Sequence, residues 1–150
     1  MKFRFRLEKV LELRRWEEKQ VELELASVTG ECVKLQRLIT ALKDERHNSL
    51  SQRRPLDSVT VLLSVEAYGQ RLAKKAEEYQ VQLDQKLLER DEVQKKFLAA
   101  QTKRKVLEKV EEKRRLEFKK AEFQQEAKRQ DDLNTSAFVR KMKAREGLGG

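Results

Sequence analysis

The residues able to do chemistry are few and far apart. The 150-residue chain holds one histidine, His47, and one cysteine, Cys32. Nucleophilic catalysis needs a nucleophile beside an oriented imidazole and a carboxylate in a cleft. A structural zinc site needs four Cys or His ligands. Neither set is available here, and no Gly-rich loop is present to cradle a phosphate. Glu residues abound, but they occupy the outer positions of a helical repeat rather than forming acid–base dyads. The sequence predicts no enzyme, no metal and no cofactor. What the chain has in quantity is charge. There are 35 Lys+Arg against 26 Asp+Glu, a formal net charge of +9. The densest basic stretch is Lys103, Arg104, Lys105, Lys109, Lys113, Arg114 and Arg115. Residues 101–130 carry 11 basic and 6 acidic side chains, more than half of the net charge.

The elements that hold these side chains follow from composition. Charged residues make up 41% and apolar ones 38%. A globular domain usually carries about 25% charge and 45–50% apolar residues, so a thick two-sided core is out of reach. There are five Gly and one Pro, and three of the Gly (Gly147, Gly149, Gly150) stand at the very end. A β protein needs many turn residues, which this chain lacks. Long helices remain. No run of 18 apolar residues is present to span a membrane. The basic start, Met1 to Arg6, leads into no apolar stretch of the kind a secretory signal needs. A single cysteine fits a reducing compartment.

The first segment carries a heptad. Position a falls at Leu11, Glu18, Leu25, Cys32 and Ile39, and position d at Leu7, Arg14, Val21, Val28, Leu35 and Leu42. Nine of these eleven are apolar, which is the signature of a coiled-coil seam. Arg14 and Glu18 interrupt it and could pair with each other or with charges on a facing helix. Gly30 falls on the outer face, and so does Trp16, a modest interface candidate. Cys32 reads as a small buried hydrophobe. His47 reads as a solvated loop residue.

A polar stretch, residues 47–58, contains Pro55. Proline disfavours helix at Arg54 and cannot continue an arriving one. Asp57, Ser58 or Ser64 could cap the next helix. The β-branched run 59–65 leaves its start open between helical and partly extended. The second seam runs Leu62, Val65, Gly69, Leu72, Ala76, Tyr79, Leu83, Lys86, Arg90, Val93, Phe97, Ala100, Arg104 and Leu107. Beyond it the rhythm blurs, and residues 134–136 suggest a fray or kink. The expected architecture is all-α: a long antiparallel two-helix coiled-coil hairpin with a C-terminal helical overhang. Residues 1–146 form one rod, with helix one at about 4–46, a tip loop at 47–58 and helix two at 59–133. Residues 147–150 form a flexible tail. With the turn centred near residue 54, residue i faces about 108 − i, and residues after about 105 have no partner within the chain.

The opening, Phe3-x-Phe5-x-Leu7-x-x-Val10-Leu11-x-Leu13-Arg14 with Glu17 and Glu18, resembles the N-terminus of the flagellar export protein FliJ family. The length, the polar loop near the first third and the charged second helix agree. Tyr68-x-x-x-Leu72 and Tyr79-x-x-x-Leu83 fall where that family has apolar and aromatic positions. The ending departs from it at Asn134-Thr135-Ser136. The resemblance implies a component of flagellar type III protein export in the cytoplasm, peripheral at the inner membrane at the flagellar base. It implies a stalk-like coiled coil, mostly monomeric, that enters the ring of the export ATPase and stimulates it. Its implied partners are that ATPase and its regulator, the cytoplasmic domain of the export gate and export chaperones.

On that reading the ATPase contact comprises the basic stretch from Lys103 to Arg115 with Phe3 and Phe5. The gate contact comprises Tyr68, Leu38, Leu42, Leu72 and Tyr79, beside the apolar run Val59 to Val65. The seam comprises Leu7, Leu11, Val21, Leu25, Val28, Cys32, Leu35, Ile39, Leu83, Val93 and Phe97. Two other classes compete. The charge suits a nucleic-acid-binding coiled coil, but Glu is interleaved throughout and no aromatic pattern suits base stacking. A structural homodimer would pair the second helix with its copy. The seam reading predicts that Leu25→Asp melts the hairpin, because it sets an unpaired charge against a buried stripe. Circular dichroism checks this, and an unchanged melting curve would reject the register.

Overall fold

The chain follows its heptads into helix. A computed structural model describes residues 2–52 and 58–148. Among them it contains two helices and no strand: α1 (Glu8–Ser51) and α2 (Val59–Leu148). Pro55, Arg54 and Asp57, and Gly149 and Gly150 of the expected tail, lie outside the described residues.

The described residues fall into two units. The first joins Arg14–Lys103. Here α1 and α2 pack antiparallel: Glu31 meets Lys86, and further along α1 Glu45 meets the earlier residue Tyr68. Val28, Cys32, Ile39 and Leu83 form the buried cluster, with Leu35, Tyr79 and Leu87 packed against it. Leu72, Ala76 and Val93 are also buried, and Val21, Leu25, Leu42 and Phe97 are half-buried. Apolar side chains recur every three and four residues on each helix, so one stripe of each can be buried while the rest stays wet. Lys86 Nζ bridges Glu31 on the facing helix at 2.8 Å and Glu89 at 3.2 Å. Arg14 is met by Glu17 at 3.0 Å.

The second unit joins Met1–Leu13 and Arg104–Gly150. Its N-terminal part is irregular up to the turn at Arg6–Leu7, from which α1 starts. Leu11 is buried, and Leu7 lies at the edge, 36% exposed. On α2, Arg104, Leu107, Val110 and Phe118 are half-buried. From Lys119 through Gly147 every side chain is exposed. This is the helical overhang of the hairpin.

Several boundaries differ from expectation. Helix one starts at Glu8 rather than about residue 4, because Phe3 and Phe5 pack against α2 as alternating side chains of an irregular segment. It ends at Ser51 rather than about 46. His47, Asn48 and Ser49 are only mildly unfavourable in helix, and the strong breaker is Pro55. The Gln52 amide still donates to the Asn48 carbonyl at 3.2 Å. The β-branched run 59–65 is helical, started by Ser58, whose Oγ accepts from the Val61 amide at 3.3 Å. That is the bond of an N-cap residue. Helix two does not fray at 134–136. It runs on to Leu148, through Gly147, because strong helix formers follow and no proline interrupts.

The register differs as well. Glu45 was expected to face about residue 63 and meets Tyr68. Arg46 was expected to face 62 and lies against Gly69. Glu31 was expected to face 77 and bonds Lys86. The offset is near one heptad. Sliding one helix by seven residues leaves its seam facing the partner, so the repeat alone does not forbid it. The shift carries Val59, Val61 and Leu63, all exposed, past the end of α1.

Leu83→Ala should remove the one α2 side chain in the buried cluster. We expect a loss of about 2–4 kcal/mol in urea unfolding, from lost transfer energy and a residual cavity. A loss under about 1 kcal/mol would mean that the site collapses freely.

Candidate functional site

Among the described residues the buried side chains form a narrow stripe, and the candidate residues lie mostly outside it. Among the described residues no group of three or more His, Cys, Asp or Glu side chains could hold a metal ion. Cys32 is a buried free thiol. His47 is exposed, but on α1 rather than in a loop. Trp16 is 60% exposed on the outer face of α1.

The first surface lies at the start of α2. Val59, Val61, Leu63 and Tyr68 are exposed, as is Leu38 on α1. Of the other residues considered for the gate, Leu72 is buried and Leu42 and Tyr79 are half-buried. Leu42 and Leu72 line an apolar notch of about 230 Å³ with Ala73 and Ala76, rimmed by Lys43 and Arg46. The notch exists because two alanines face leucine across the seam. Tyr68 donates its hydroxyl to Glu45, tying α2 to α1. Glu45 was not among the sequence candidates. A residue three positions from Leu42 is outside the seam, and only the register brings it to Tyr68.

Two groups here have shifted titrations. The hydrogen bond to Glu45 holds the Tyr68 phenol above its ordinary value, with desolvation and the carboxylate's charge adding to it. Bonds to Glu31 and then Glu89 hold the Lys86 ammonium above its ordinary value. In both cases the protonated form makes the bond. The stabilisation is full below the unfolded-chain value and is lost as pH rises through the raised one.

The second surface is basic. Lys105, Lys109 and Lys113 are exposed at four-residue spacing, which puts them on one face of α2. Lys103, in the other unit, is exposed too. Arg104 is instead half-buried and bonds Glu108 at 2.7 Å. Nor does the basic stretch lack an intramolecular partner, as the expected register required. Phe3 packs on Phe118 with ring centroids 5.5 Å apart. The Arg115 guanidinium lies 5.3 Å from the Phe3 ring and also donates to Glu111 at 3.0 Å. Phe3, Phe5, Leu7, Val110, Arg114 and Phe118 line a groove of about 460 Å³. Sequence reasoning grouped Phe3, Phe5, Arg114 and Arg115 by type but missed Phe118 and Val110. The legible signal was the period-two spacing of Phe3, Phe5 and Leu7, which suits an extended segment and not a helix.

These features define an all-α helical hairpin with an apolar and a basic surface. Residues 2–143 match the model of the family described as Flagellar FliJ protein, and the chain belongs to that family. It is therefore a component of the flagellar export apparatus. No curated protein and no solved structure matches it. No described helix is long and apolar enough to cross a membrane.

In an ultraviolet titration the wild-type chain should show a phenol component above the ordinary tyrosine range, and Tyr68→Phe should abolish it. Glu45→Gln should bring that component down, because the carboxylate acceptor is gone. An unchanged titration in Glu45→Gln would reject the pair.

Proposed function

We propose that this chain acts as a stalk-like coiled coil that enters the ring of the flagellar export ATPase, promotes its assembly and stimulates hydrolysis. The observation that carries the reading is the exposed row Lys105–Lys109–Lys113 on a helix of a flagellar export family member. A cationic stripe on a helix attracts acidic loops at long range without a deep lock, which suits contact with a ring. The overhang after Phe118 supports the reading, since no side chain from Lys119 through Gly147 is buried within the chain.

The exposed apolar residues Val59, Val61 and Leu63, with Leu38 and Tyr68, form the contact to the export gate on this reading. Exposed large hydrophobics gathered in one region mark interaction surfaces. Leu42, Leu72 and Tyr79, the other residues of this proposed contact, are buried or half-buried in the seam. Export chaperones and the ATPase regulator are further partners of the same surfaces. The protein works at the cytoplasmic face of the membrane, held there by these contacts.

The test is ATP hydrolysis and ring assembly by the purified export ATPase, with and without this protein. Stimulation with more assembled ring is the expected result. Changing Lys105, Lys109 and Lys113 together to Glu should weaken half-maximal stimulation about tenfold or more, with helicity intact, because rim charges set encounter and its salt dependence. Stimulation unchanged by the triple substitution would reject the basic row as the contact.

A further inference from the structure

We propose that the amino-terminal segment Lys2–Leu7 is a docked strap whose outward cations, with Arg114 beside them, bind an acidic, extended segment of a partner protein. The observations come from the side chains' alternation. Phe3 and Phe5 are half-buried, while Lys2, Arg4 and Arg6 are exposed. The aromatics pack against α2, while Arg4 and Arg6 line the groove beside them with their charged ends in solvent.

The docking is specific. Phe3 is held on Phe118 as a tilted aromatic pair and covered by the Arg115 guanidinium. Arg115 is itself oriented by Glu111. The strap then turns into α1, with the Glu8 amide donating to the Phe5 carbonyl at 3.2 Å. Both ends of the segment are thus tied down, and the basic side chains between them are presented from a fixed base.

The partner's chemistry follows from spacing and sign. Alternate residues of an extended chain stand about 7 Å apart. Carboxylates at every second residue of an extended partner would meet Lys2 and Arg4 in step, with Arg6 beside them at the turn. Between them the groove of about 460 Å³ has an apolar floor of Phe5, Val110 and Phe118, with room for an intervening apolar side chain. Arg114 and Glu117 both line this groove. A carboxylate there opposes a uniformly anionic array such as a phosphate backbone or a charged bilayer, but suits discrete side chains. The aromatics are also turned inward, not offered to a lipid interface.

The partner's identity as the export ATPase rests on the function proposed above; the strap's chemistry does not. The test titrates the full chain into a labelled synthetic peptide of alternating Glu and Leu, read by fluorescence anisotropy. A Lys–Leu peptide and anionic phosphatidylglycerol vesicles serve as comparisons. Binding of the Glu–Leu peptide alone is expected. Arg4→Ala with Arg6→Ala should weaken it about fivefold or more. Phe3→Ala with Phe5→Ala changes no charge, yet should weaken binding comparably, because the cations lose their fixed base. Circular dichroism confirms that each variant stays helical. Failure of the Glu–Leu peptide to bind, binding indifferent to the Phe3 and Phe5 substitutions, or binding of vesicles in its place would each overturn the proposal. A chain that binds the peptide as expected but does not stimulate the export ATPase supports the strap and rejects the ATPase as its partner.

Discussion

Two helices can bury only one stripe each, and the rest of this structure depends on that limit. Among the described residues the buried ones are Leu11, Val28, Cys32 and Ile39 on α1, and Leu72, Ala76, Leu83 and Val93 on α2, with Gly69 beside Arg46. All are apolar or small. Among the described residues no charged side chain is fully buried, and Arg14, Lys86, Arg90 and Arg104 are half-buried at the edge of the stripe, so a chain with 41% charged residues can fold.

The same limit creates the strap. Helix α1 begins at Glu8, so α2 beyond Leu107 would show its half-buried face to water without another cover. An irregular segment reaches further per residue than a helix, about 3.3 Å against 1.5 Å. Phe3 can therefore reach Phe118 with only a few residues. The cover is thin: Lys2, Arg4 and Arg6 stay exposed, while Arg114 lines the groove and Arg115 lies over Phe3. Packing and presentation of charge are one arrangement here. From Lys119 through Gly147 the side chains of α2 are exposed, and Phe123 is 76% exposed where Phe118 is half-buried.

Electrostatics adjusts this scaffold without building it. The ion pairs join partly exposed side chains, many of them three or four residues apart on one helix, such as Arg104–Glu108 and Arg115–Glu111. Exposed pairs of this kind contribute little each. The cross-helix bonds Lys86–Glu31 and Tyr68–Glu45 have a different role. They discriminate between registers that the apolar repeat treats almost alike, because a charged partner displaced by a heptad finds a different side chain.

The sequence by itself determined the helical class and the stripe that is buried, through the 4-3 spacing that includes Leu11, Val28, Cys32 and Ile39, and the polar stretch with Pro55 pointed to a hairpin. The basic row on α2 was legible from four-residue spacing alone. Helix ends were less so: Asn134, Thr135 and Ser136 stay helical because nothing in the following sequence stops the helix. Only the tertiary structure decided the register, the Tyr68–Glu45 pair and the docking of Phe3 on Phe118 with Arg115 over it. The reason is physical. A heptad repeat looks the same after a shift of seven residues, so local pattern specifies which face is buried but not what lies opposite. That choice belongs to contacts between residues far apart in the chain, which no local period encodes.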